Sequence, residues 1–200
     1  MRTTAKRLAQ AALCIVPTVT PWTSLENQMA LATQSRLWVN GTSTVRSFEC
    51  KATEFDAAVE TSGPGAAKAV VSGEKAVTTV SVTVPAARLD CSNKTMNEHM
   101  LKALKAKEHG TISFKLSSYD IAKSGETVKG TLTGQLTLGG VTKPITMTAT
   151  GAATPDGGLQ VTGSHELNMK EYGLKPPTLM MGTMKVGETV KVSFDLILKG

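Results

Sequence analysis

From Thr127 to Leu138 every odd position is polar, while the even positions read Val128, Gly130, Leu132, Gly134, Leu136 and Leu138. A period of two places the apolar set on one face of a β-strand. The pair Gly139-Gly140 follows, and then a second arm from Val141 to Ala149. Two glycines between such arms predict a type I′ hairpin, because both central residues of that turn need positive φ. A two-residue turn sets Leu138 opposite Val141, Gly134 opposite Ile145 and Leu132 opposite Met147, so the apolar sets of the two arms share one side. Lys143 breaks the pattern, since it falls on the apolar face opposite Leu136. A bulge at Pro144 that turns it outward is the expected resolution.

The same reading predicts further strands on both sides of this hairpin. Residues 36–50 read as the first long strand, with Trp38 and Phe48 as core residues, and residues 54–60 as a short one. Residues 61–73, rich in Gly, Ala and Ser, read as a mobile loop. Val80, Val82 and Val84 alternate with threonine and serine until Pro85, which cannot donate to a ladder. Residues 93–108 form the one helical pattern: Asn93 caps it, Met96, Met100, Leu101 and Leu104 make its apolar stripe, and Gly110 stops it. Strands follow at 111–120, with Ile112, Phe114 and Leu116 inward, and at 159–169, with Leu159, Val161, Gly163, His165, Leu167 and Met169 on one face. Residues 171–185 read as a loop with an apolar tip at Leu179-Met180-Met181. A final strand alternates Val190, Val192, Phe194, Leu196 and Leu198 with Lys191, Ser193, Asp195 and Ile197. Pairing of that strand with the first would close the sheet and abolish its edges.

The segment Leu136-Thr-Leu-Gly-Gly-Val-Thr-Lys-Pro-Ile145 closely resembles the signature hairpin of the YceI-like family of lipocalin-like proteins. The resemblance extends from about residue 37 to residue 199, with Trp38 in the first strand and Val186-Gly-Glu-Thr before the last. It implies an all-β fold, an eight-stranded antiparallel lipocalin-like barrel with one α-helix packed across it, holding a polyisoprenoid lipid. Relatives commonly carry an acidic residue and a His-Ser pair in the first strand. Here Asn40 and Ser43-Thr44 stand instead, so a head-group role of that pair in relatives is not carried over to this chain.

The ends of the chain change the picture of where such a barrel would work. Arg2, Lys6 and Arg7 precede the apolar run 8–19, and Ala30-Leu31-Ala32 offers a cleavage site. Residues 1–32 are thus expected to be a signal peptide and residues 33–200 the barrel domain, in a periplasmic or secreted protein. Cys14 tempts towards a lipoprotein anchor, but Leu13 occupies the place of a small residue. Two cysteines remain beyond the leader, and an exported chain favours a disulfide between Cys50 and Cys91. The formal charge of +6 is spread among lysines with only 4% aromatic residues, which argues for a solvated surface and against nucleic-acid binding.

Catalytic and metal chemistry find little support. His99, His109 and His165 lack metal-ligand spacing, and no nucleophile elbow, phosphate loop or dinucleotide fingerprint occurs. His165, on an apolar face, is expected to be a hydrogen-bonded core histidine. An enzyme in the same cavity would have to use His165, Lys143 and Tyr172. No cofactor is called for. An outer-membrane barrel would need aromatic girdles that so few aromatic residues cannot supply.

The expected ligand, from the resemblance, is an apolar isoprenoid lipid of the polyisoprenoid or quinone type. The expected lining is Trp38, Phe114, Leu132, Leu136, Leu138, Ile145, Met147, Val161, Phe194 and Leu196. The inward glycines at 130, 134 and 163 are expected to leave room for the ligand. Transient contact with a membrane accords with lipid carriage, and a dimer is compatible with the sequence. The rival reading is a structural or stress-response barrel packed with its own side chains.

Overall fold

The computed structural model describes residues 27–179 and 183–200. The basic and apolar leader segment up to residue 26 and the loop-tip residues Met180 and Met181 lie outside the described residues. The central hairpin forms in the expected register: β8 (Thr127–Leu138) pairs with β9 (Val141–Ala153), with Leu138 against Val141, Gly134 against Ile145 and Leu132 against Met147. Gly139 and Gly140 take φ of 56° and 82°, as the turn requires. The ladder runs without a bulge through Gln135 and Pro144, so Lys143 stays on the inward parity, half-buried beside the hairpin tip. The expected outward turn at Pro144 does not occur.

Before the hairpin the chain is more broken than its alternation implies. The expected first strand is a hairpin of its own, β2 (Arg36–Thr42) against β3 (Ser47–Ala52). It turns at Ser43, whose Oγ accepts from the backbone N–H of Arg46 at 3.1 Å. Sequence alternation continues through such a short polar turn, which is why it escapes a period-2 reading. β3 leads into β4 (Asp56–Thr61), which pairs with β5 (Val77–Pro85). Between them residues expected to be a mobile loop form a short helix, α1 (Ala66–Val71), with Ala66, Ala67 and Val70 buried. It plugs one end of the barrel against Val59, Val128, Leu159 and Leu198.

The barrel begins ahead of the first expected strand. β1 (Gln28–Leu31) lies between β4 and the last strand, β13 (Thr189–Lys199), and Met29 is 4% exposed. A boundary after Ala32 would separate β1 from the rest of the sheet. β13 pairs with β1 along its final residues, with β2 along its first half, and with β10 (Leu159–Asn168) on its other side. With β7 (Thr111–Ser124) joining β5 to β8, the antiparallel barrel is closed and eight-stranded. Asp195 stitches the seam: Gln160 Nε2 donates to it at 2.7 Å and Arg36 Nη2 at 2.9 Å. Burial opposes ionisation of that carboxyl, but the two donors outweigh it and hold it below the usual carboxylate range.

The other end carries the mouth. Here β6 (Leu89–Asp90) pairs with β3, and Cys91, just beyond it, is bonded to Cys50. The helix α2 (Lys94–Ala103) follows, capped as expected by Asn93, whose Oδ1 accepts from Met96 N–H at 2.9 Å. It ends earlier than residue 108, because Lys105 takes a left-handed φ of 55°. A ribbon of β11 (Thr178–Leu179) and β12 (Met184–Lys185) forms within the expected loop and is tied to the β2–β3 turn by Thr44 N–H donating to Lys185 O.

The inward glycines do not leave empty space. A Cβ on Gly134 would lie 2.5 Å from both the Phe114 ring and the Lys115 carbonyl oxygen, and one on Gly163 would strike Phe194. Gly41 receives Phe48 in the same way, and Gly130 faces Ile121. Each glycine is a seat for a neighbouring side chain, and at Gly41, Gly134 and Gly163 this is the aromatic-over-glycine device of curved sheets. Gly134→Leu is thus expected to cost about 2 kcal/mol through overpacking, read as a lower urea midpoint. The outward Thr133→Leu should leave the midpoint nearly unchanged; equal midpoints for Gly134→Leu and wild type would contradict the seating.

Candidate functional site

Inside the barrel is a cavity of about 610 Å³, within the roughly 300–1,000 Å³ typical of small-molecule sites. It runs along the barrel axis. Val59, Val70, Val128, Leu159 and Leu198 line it near α1, and Met96, His99, Met100 and Ala103 of α2 line it at the mouth. Alternation builds the wall: residues 159, 161, 165 and 167 of β10 and 192, 194, 196 and 198 of β13 all face inward. A register shift in β7 between Leu116 and Ser118 lets Tyr119 and Ile121 face the cavity as well as Phe114 and Leu116.

Of the expected lining, Phe114, Leu132, Leu136, Leu138, Ile145, Met147, Val161, Phe194 and Leu196 do line this cavity. Trp38 does not. It has the opposite parity, paired with Ser193 and Lys51, and the Arg36 guanidinium lies 5.9 Å from its ring centroid. Leu37 and Val39 face inward in its place. Aromatic size suggested a core role for Trp38, whereas strand parity, once the turn at residues 43–46 is known, assigns its neighbours. On α2 the apolar stripe also differs: Ala103 and His99 reach the cavity and Leu101 does not.

Polar groups concentrate at the mouth, where Ser43, Arg46, Asn93, Thr95 and His99 border the opening. Deeper, Tyr119 uses its hydroxyl to accept from Val77 N–H at 3.0 Å. His165 lines the cavity but has no hydrogen-bond partner among the described residues, in contrast to the expected bonded core histidine. Its imidazole is an available donor and acceptor within an otherwise apolar wall. Tyr172 is 2% exposed beneath the mouth, in a cluster with Leu138, Leu167 and Leu174, and neither it nor Lys143 borders the cavity. Burial, followed by the charge of Glu171, pushes its hydroxyl up from the ordinary tyrosine value. The residues weighed for catalysis are therefore not gathered around one space.

The wall is not uniform. β9 pairs with β10 only from Thr148 to Ala153, although both strands continue towards the mouth. Ile145, Met147, His165 and Leu167 flank this unladdered stretch and line the cavity. On the outer face β8 carries Thr131, Thr133, Gln135 and Thr137, with Thr133 and Thr137 hydrogen-bonded across to Thr146 and Thr142 of β9. No helix among the described residues is long and apolar enough to cross a membrane. No cluster of three or more His, Cys, Asp or Glu suited to a metal occurs among the described residues.

The cysteine pair stands at the hinge between barrel and helix. Lys51 pairs with Asp90, and the next residues along, Cys50 and Cys91, are joined covalently. Cys91 N–H donates to Asn97 Oδ1 at 2.8 Å, and Asn97 Nδ2 donates to Asp90 Oδ1 at 2.8 Å. The bond from Asn97, aided by Ser92 N–H, holds the Asp90 carboxyl below its ordinary value. The start of α2 is thus fixed to β3 and β6 by one covalent bond and a small polar network.

Several solved structures share this fold. A polyisoprenoid binding domain from Saccharophagus degradans superposes with a TM-score of 0.65 at 13% identity, covering 88% of this chain and 99% of that one. BcnA of Burkholderia cenocepacia gives 0.62 at 19% identity, covering 82% and 95%. The YCEI protein of Campylobacter jejuni gives 0.56 at 19% identity, covering 74% and 82%. No curated protein sequence matches the chain. The sequence model of the YceI-like domain, however, matches residues 30–198, nearly the whole barrel. The chain belongs to the YceI-like family.

Proposed function

We propose that this protein is an exported carrier that holds one polyisoprenoid or isoprenoid-quinone-type chain along its barrel axis. The observation that carries the reading is the continuous apolar cavity from α1 to α2, with its polar groups gathered at one end. Such a space suits a long flexible hydrocarbon whose polar end lies at the mouth. Burying one five-carbon unit contributes about 4 kcal/mol gross, at roughly 0.8 kcal/mol per carbon group. A few units would already approach the ceiling for non-covalent affinity, so ordering the chain must consume much of the gain. No ionic head contact is required, and methionines on α2 let the mouth adapt to the chain. The polyisoprenoid-binding description of the Saccharophagus degradans domain supports the ligand class. A barrel packed with its own side chains would not have room of this size.

Solvent extraction and mass spectrometry of the folded protein test the ligand. Val161→Phe, which intrudes on the cavity from β10, should lower the yield of long-chain isoprenoid severalfold, while the outward Thr133→Leu retains it. Recovery of no lipid from the wild type would sink the proposal. The bond between Cys50 and Cys91 supports export to an oxidising compartment. Because Gln28–Leu31 belongs to the barrel, the proposed cleavage lies upstream of Gln28.

A further inference from the structure

We infer that the mouth end of the barrel is a docking face for an anionic lipid bilayer. The inference rests on the carrier reading, since a cargo of this kind must enter and leave through a membrane. Strand directions put the β2–β3 turn, α2, the β8–β9 turn and the segment 169–188 at one end. They put α1, the β7–β8 turn and the β9–β10 turn at the other.

The two ends differ in charge. At the mouth, Arg46, Lys94, Lys102, Lys107, Lys175 and Lys185 are exposed, and none belongs to an ion pair among the described residues. Lys105 and Lys143, half-buried there, are likewise unpaired. The carboxylates outside ion pairs at this end are Asp56, Asp90, Glu98, Glu108, Glu166 and Glu171, six against the eight cations just named. At the far end the unpaired Lys68, Lys123 and Lys129 are balanced by Glu60, Glu74 and Glu126, while Lys75 and Asp156 are already paired with Asp120 and Lys199. The positive excess is therefore a property of the mouth.

The mouth also presents an apolar contact. Val45, at the tip of the β2–β3 turn, is 67% exposed and is the one large hydrophobic residue so exposed among the described residues. It borders the cavity beside Arg46. A basic rim around an exposed apolar tip is the combination that holds peripheral proteins on anionic headgroups. Because α2 turns Met96, His99 and Met100 to the cavity and Lys94 and Lys102 away from it, one helix serves both cargo and surface.

The test is co-sedimentation of the full protein with phosphatidylcholine vesicles and with mixed phosphatidylcholine and phosphatidylglycerol vesicles. Binding is expected only to the mixed vesicles and should fade as salt rises. The triple variant Lys94→Gln, Lys102→Gln, Lys107→Gln should weaken it by about tenfold to a hundredfold. Lys68→Gln, Lys123→Gln, Lys129→Gln removes as many charges from the far end and should bind as the wild type does. Equal loss in both triple variants, equal binding to neutral vesicles, or no binding by the wild type would overturn the inference. Lipid content measured by extraction separates the two claims. A mouth variant that keeps its isoprenoid but leaves the vesicles supports docking, whereas an empty wild type that still binds vesicles refutes only the carrier reading.

Discussion

Replacing Cys50 and Cys91 together by alanine is expected to lower stability by about 4 kcal/mol, the loop-closure value for the 41-residue separation. For a chain of this size that corresponds to a drop of roughly 10 °C in melting temperature. The far-ultraviolet circular dichroism should change little, because the β3–β6 ladder and the barrel pairings do not depend on the bond. The effect should reach the site through α2. Cys91 lies two residues before the helix cap and shares hydrogen bonds with Asn97, so its release frees the start of the helix that covers the mouth. Bound lipid should therefore exchange into acceptor vesicles faster in the alanine pair than in the wild type. Thermal melts with and without reductant check the first point and a timed transfer assay the second. An unchanged melting temperature would show that the bond constrains nothing the fold does not already hold.

A chain beginning at Thr33 is expected to be less stable than one beginning at Asn27 by about 3 kcal/mol. Met29 is 4% exposed, and burial of such a side chain is worth about 1.5–3 kcal/mol. Its loss also uncovers Val59 and Leu198, which pack with it against α1. The partners of β1 then become open edges, since Met29 pairs with Val59 on β4 and Leu31 with Leu198 on β13. Exposed edges recruit other chains, so the shorter protein should also self-associate on gel filtration. Urea midpoints of the two chains decide the matter. Equal midpoints would mean that the barrel closes without β1 and that a leader ending at Ala32 is compatible with the mature fold.

What the sequence determined by itself was the set of inward and outward faces within each regular strand. Period-2 alternation is a local property, so β8, β9, β10 and β13 were legible from Thr127 onward. With them came eight of the ten expected cavity residues, Phe114 on β7 being a ninth, and the hairpin register, which Gly139 and Gly140 fix locally through positive φ. The cap at Asn93 was local too. The tertiary structure alone decided where apparently continuous patterns break. The turn at residues 43–46, the bulge after Leu116 and the early end of α2 at Lys105 each depend on which neighbour receives the next hydrogen bond. Trp38 fell to the outer face for that reason. The glycines show the same division: their positions were plain, but whether they left space or seated a ring depended on Phe114 and Phe194 arriving from adjacent strands. The membership of Gln28–Leu31 in the barrel was least visible of all. Four residues carry almost no periodicity, and only the two strands waiting on either side, β4 and β13, make them a strand.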